Sequence, residues 1–177
     1  MEHKRRLALR RTALGLTLAT LLALPLMSTA DQTAPGRAGR TVLTLSGDIT
    51  AGGAQGRLDL DMAALAALPQ HSFTTRTPWY PQPVQFTGPL LRDVLALAGA
   101  RGHQLTAVAL NDYRVDLPVA DAQRWNVIVA RLQDGKPMSV RQKGPLFIVY
   151  PFDDSEELRS ERYYGRSAWQ LRRLLVK

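Results

Sequence analysis

Apolar and polar positions in this chain fall into short runs broken by glycine and proline. From Thr41 to Ser46 they alternate, with Val42, Leu43 and Leu45 as the apolar members, which predicts a strand ending at Gly47-Asp48. Gly52-Gly53 reads as loop before a second extended piece at Leu58 to Leu60. Asp61 stands where an N-cap belongs, ahead of Met62, Leu65 and Leu68 at helical spacing, and Pro69 closes that short helix. A β-branched and aromatic run from His71 to Thr77 predicts a strand. Pro78, Pro81 and Pro83 then forbid a helix and leave a stiff loop before a brief extended piece at Val84 to Phe86.

Gly88-Pro89 opens the clearest helix. Leu90, Leu91, Val94, Leu95 and Ala98 share one face, Pro89 suits the first turn, and Gly99 ends it. Strands are expected at Leu105 to Leu110, Tyr113 to Leu117, Val127 to Leu132 and Leu146 to Tyr150. A short helix at Pro118 to Gln123 separates the second from the third, and Asp134-Gly135 marks a tight turn. Ser155 to Tyr164 is polar and helix-like or irregular, and Trp169, Leu171, Leu174 and Val176 suggest a last strand. Strands outnumber helices and do not alternate with them regularly, so the expected class is α+β with a mixed or antiparallel sheet.

The first thirty residues change what the rest has to explain. A basic start (Lys4, Arg5, Arg6, Arg10, Arg11), an apolar run from Ala13 to Met27 and the small residues Ser28-Thr29-Ala30 match a signal peptide over residues 1–30, cleaved after Ala30. The run is shorter than the ~20 residues of a spanning helix. No stable membrane span is therefore expected after cleavage, and the mature protein is placed in the periplasm or outside the cell. Export in the unfolded state fits the residues after Arg10-Arg11 better than the twin-arginine route. Residues 31–40 are polar and rich in Gly and Pro and serve as a flexible linker, which leaves 41–177 as one domain.

Without residues 1–30 the chain keeps 18 Lys and Arg against 14 Asp and Glu, a mild balance of +4. No basic run is interleaved with aromatics, so nucleic acid is not an expected partner. There is no cysteine, which removes disulfides, thiolate zinc sites, iron–sulfur clusters and a thiol nucleophile together. A core of this size holds without disulfides.

Other chemistries find little to stand on. His71 and His103 lack a second ligand at metal spacing, and no Gly-x-Ser-x-Gly elbow or phosphate-binding glycine loop occurs. Asp153-Asp154 and Glu156-Glu157 lack the spacing of a calcium loop and read as a solvated, self-repelling segment. Two groups are better candidates. Arg76 lies beside Trp79 and Tyr80 in a proline-stiffened loop, where a guanidinium suits an anion and the rings suit a planar group. Asp112 and Tyr113 lie in the polar cluster Asn111 to Arg114 between two strands and offer hydrogen bonds.

Five blocks in order carry a family resemblance: Phe86 to Leu95, Asp112 to Pro118, Asp134 to Met138, Lys143 to Pro151 and Ser167 to Leu171. Over about residues 42 to 176 the chain resembles the oxidoreductase molybdopterin-binding domain family, the sulfite oxidase fold. The resemblance implies an α+β fold with a mixed, partly barrel-like sheet and a few short helices. It also implies a molybdenum-ligating cysteine shortly before the Gly-Pro-Leu helix, where this chain has Phe73-Thr74-Thr75-Arg76-Thr77. A threonine hydroxyl is a harder ligand of much higher pKa than a thiol and does not replace it at neutral pH. Arg141 and Lys143 are the basic residues left for an anion contact.

The expectation is therefore an exported, non-catalytic binding domain that takes a small anionic ligand or a protein partner in the former cofactor cleft. A membrane-associated sensor or redox protein is the kind of partner expected. No cofactor is expected. The alternative is a molybdopterin-dependent oxidoreductase with non-cysteine ligation.

Overall fold

The computed structural model describes residues 39–177. The segment expected to be a signal peptide, 1–30, and residues 31–38 of the expected linker lie outside the described residues. Gly39, the first one described, donates its backbone N–H to Asp61 Oδ2 at 2.8 Å. Among the described residues no helix is long and apolar enough to cross a membrane.

The largest sheet has five strands: β1 (Thr41–Gly47), β2 (Arg57–Asp61), β5 (Gln104–Ala109), β6 (Arg114–Pro118) and β11 (Leu171–Val176), in the order β2-β1-β11-β5-β6. The last strand is thus central, parallel to β1 and antiparallel to β5. Alternation along β1 sends Leu43 and Leu45 into the core with no exposure, while Thr44 on the other face donates to Asp59 Oδ1 at 2.5 Å. A four-stranded antiparallel sheet runs β3 (Gln70–Thr77), β4 (Tyr80–Pro89), β8 (Leu132–Gln133), β9 (Lys136–Pro137), and β7 (Ile128–Ala130) pairs with β10 (Phe147–Val149). The fold is mixed α+β, mostly sheet. The expected single, partly barrel-like sheet is three open sheets, and none closes on itself among the described residues.

Among the described residues four short α-helices complete it: α1 (Met62–Ala67), α2 (Leu91–Ala98), α3 (Val119–Arg124) and α4 (Glu161–Arg166). Asp61 caps α1 by accepting from Ala64 N at 2.7 Å. Leu91, Val94, Leu95 and Ala98 of α2 are buried, and Gly99 ends it in a left-handed conformation (φ 60°) with its N–H on Leu95 O and Ala96 O. Pro89 lies outside the first turn expected for it: the β3–β4 ladder continues to the pair Gln70–Pro89, and the helix begins two residues later.

Two other expectations change for the same reason, that pairing outweighs local pattern. The brief extended piece at Val84 to Phe86 is part of the ten-residue β4, which tolerates Pro81 and Pro83 because the register skips from Thr75–Val84 to Thr77–Tyr80 and leaves 81–83 unpaired. The run Val127 to Leu132 divides at Arg131, so β7 serves the pair with β10 and β8 the sheet with β4.

Candidate functional site

The stiff loop expected after β3 is a tight hairpin turn, Pro78-Trp79, between Thr77 and Tyr80. Thr77 Oγ1 accepts from the Trp79 N–H at 3.3 Å. That turn sends Trp79 into a knot of rings: Phe147 at 5.4 Å, Trp169 at 5.6 Å, Phe152 at 6.0 Å and Tyr164 at 6.2 Å between centroids, all edge to face. Such pairs favour this arrangement electrostatically as well as by burial.

Beside the knot opens a cleft of about 290 Å³ lined by Pro78, Trp79, Tyr113, Glu161, Tyr164, Gly165, Ser167 and Trp169. Its volume is near the lower end of small-molecule sites, roughly 300 Å³. Flat ring faces, one carboxylate and one exposed phenol give it the chemistry to hold a planar or apolar group with one or two directed hydrogen bonds.

Of the residues expected from sequence, Trp79 and Tyr113 meet in this cleft, although they belong to different hairpins. Tyr113 is 56% exposed on the turn between β5 and β6. Lys143 stands behind the cleft, its Nζ 4.6 Å from the Trp169 ring and 5.9 Å from that of Tyr80. Tyr80 faces away from its neighbour Trp79. Its hydroxyl donates to Gln133 Oε1 at 3.1 Å beside a separate hollow of about 260 Å³ lined by Gln133, Asp134, Lys136, Pro137, Met138 and Gln142. Burial and the Asp134 charge push its pKa up.

The other three are elsewhere. Arg76 pairs with Asp153, Nε to Oδ1 at 3.3 Å, and its backbone N–H donates to Oδ2 at 2.9 Å. Asp112, left-handed at φ 64°, pairs with Arg172. Arg141 is exposed in the 3₁₀ turn Val140–Gln142. Nor does the acidic segment repel itself: Asp153 meets Arg76, Glu156 meets Arg159 at 3.8 Å, and Glu157 meets Arg124 at 2.5 Å.

Glu161, Tyr164, Ser167 and Trp169 also line the cleft and were not among the site residues expected from sequence. Glu161 and Tyr164 are three apart on α4, so one face of that helix forms a cleft wall. Adjacent tyrosines carried the available signal, since Tyr163 is buried and Tyr164 half-buried on a different side of the helix. The wall is tied down from behind. Arg166 Nη1 donates to both oxygens of Asp121, at 2.8 and 3.1 Å, and the buried Tyr150 hydroxyl donates to Asp121 Oδ2 at 2.8 Å. Burial, with the Asp121 charge beside it, drives the Tyr150 pKa well above the ordinary phenol value.

The molybdenum cofactor implied by the resemblance needs a soft donor on β3. Thr75 is 1% exposed there, and its Oγ1 accepts from Asp153 N at 3.1 Å and donates to Arg76 O at 3.3 Å. Thr77 Oγ1 holds the hairpin turn. Both hydroxyls are hard donors of high pKa engaged in the fold, so they do not fit the thiolate position. Among the described residues no group of three His, Asp or Glu is placed to hold a metal.

No family model matches this chain, and no curated protein matches it.

Proposed function

We propose that this is an exported, non-catalytic binding domain built on a scaffold of the molybdopterin-oxidoreductase, sulfite oxidase-like type, and that the aromatic cleft takes a flat ligand group. The group is either part of a small anionic molecule or a side chain of a membrane-associated sensor or redox partner. One observation carries the reading: Trp79, Tyr164 and Trp169 line an open cleft while Thr75 and Thr77 of the adjacent strand have their hydroxyls bound within the fold. Rings without a metal donor bind and orient but do not transfer electrons through a metal. Lys143, whose Nζ lies 4.6 Å from the Trp169 ring, is a cation available for an anionic edge.

The test uses protein purified from its native host. Metal analysis and pterin fluorescence after denaturation should find no stoichiometric molybdopterin. A partner or small molecule should co-purify with the wild type, and Tyr113→Ala, on an exposed side chain, should reduce its yield several-fold. Molybdenum at one per chain would overturn the reading in favour of an oxidoreductase, and undiminished capture by both Tyr113→Ala and Trp79→Phe would end the cleft assignment.

A further inference from the structure

A second cavity, about 590 Å³ and so roughly twice the aromatic cleft, is formed by residues of β1, β2, β11 and the segment from Met138 to Pro145. Its charge is one-sided. Arg40, Arg57, Arg172 and Arg173 line it, and no acidic residue does. Two of the four are already matched, Arg57 by Asp59 at 2.9 Å and Arg172 by Asp112. Among the described residues neither Arg40 nor Arg173 has a carboxylate partner, and the buried Nε of Arg172 has no hydrogen-bond acceptor. A buried donor left unmatched is costly, and two arginines without counter-charge in one cavity favour an anion.

The rest of the wall is apolar. Val42, Met138 and Pro145 form part of it, and Leu110 and Val140 rise at its edge, 43% and 51% exposed. Large aliphatic side chains left open beside unmatched guanidinium groups suit a ligand with both characters.

We propose that this cavity binds an anionic amphiphile: one carboxylate, sulfate or phosphate head held by Arg40 and Arg173, and an apolar body laid against Val42, Leu110 and Val140. The site is separate from the aromatic cleft and does not depend on the function assigned to that cleft. The head provides direction through charge-assisted hydrogen bonds, and the body provides affinity through buried apolar area.

Octanoate, 1-octanol and acetate separate the two contributions. In a heteronuclear NMR titration octanoate should shift the amides of 41–44, 139–143 and 172–173 and bind at least about tenfold more tightly than either the alcohol or acetate. The double change Arg40→Gln, Arg173→Gln should weaken octanoate about tenfold or more. Val140→Asp, on a side chain already exposed, should weaken it without unfolding the domain. The proposal is overturned by octanoate that shifts nothing in these segments, by equal affinity for octanoate and octanol, or by full affinity in the arginine double variant.

Discussion

Asp121 is 6% exposed and serves two partners at once, the Arg166 guanidinium and the Tyr150 hydroxyl. Removing one side of such a group costs more than the pair contributes, because the other side stays buried and unmatched. Asp121→Ala should therefore lower stability by about 3–5 kcal/mol. Tyr150→Phe, which leaves the ion pair intact, should cost about 1.5–3 kcal/mol, the range for a hydrogen bond to a charged group. Urea unfolding of both variants checks the order, and an Asp121→Ala loss no greater than that of Tyr150→Phe would contradict it. At this scale the sequence was partly legible. Trp79 could be singled out because prolines fix the chain around a large flat ring. Arg76 looked equally suited to a ligand, but its partner Asp153 lies 77 residues away, beyond the reach of any local pattern.

At the scale of elements, β4 and β7 pass so closely that a Cβ on Gly88 would run into the Val129 carbonyl oxygen. Gly88 is buried, and the obstacle is backbone, which cannot rotate away as a side chain can. Gly88→Ala should thus destabilise by at least the ~1–3 kcal/mol of ordinary overpacking. A thermal melt decides it, since a Tm equal to wild type would mean the strands separate freely. The sequence marked this glycine only as the opening of a helix. Patterns along one segment predicted α2 and its Gly99 end because a helix satisfies its own backbone. They underestimated β4 and merged β7 with β8 because a strand's length is decided by neighbours distant in sequence. The same limit hid half of the aromatic cleft, whose Trp79 and Tyr164 walls meet only through the tertiary fold.

For the whole molecule, the ionisable groups that the fold perturbs set opposite limits on stability. Asp59 is held below its ordinary pKa by its hydrogen bonds from Arg57 and Thr44, Asp61 by backbone N–H groups of Ala64 and Gly39, and Glu157 by the Tyr163 hydroxyl and Arg124. Their contribution is present above about pH 4 and is lost as pH falls, because the unfolded chain takes up protons first. Tyr150, Tyr80 and Tyr163 are shifted upward, chiefly by burial. Below about pH 10 these phenols are protonated in both states and cost nothing. Above it the unfolded chain releases protons that the folded state retains, so unfolding is increasingly favoured as pH rises. Tyr150, the most deeply buried of the three, should alone remove about 1.4 kcal/mol per pH unit beyond that point. Urea unfolding from pH 8 to 11 should show the wild type losing stability more steeply than Tyr150→Phe, so that the two curves converge at the alkaline end. Parallel curves would mean that Tyr150 reaches solvent and ionises in the folded protein, and the buried anchor behind α4 would then have to be abandoned.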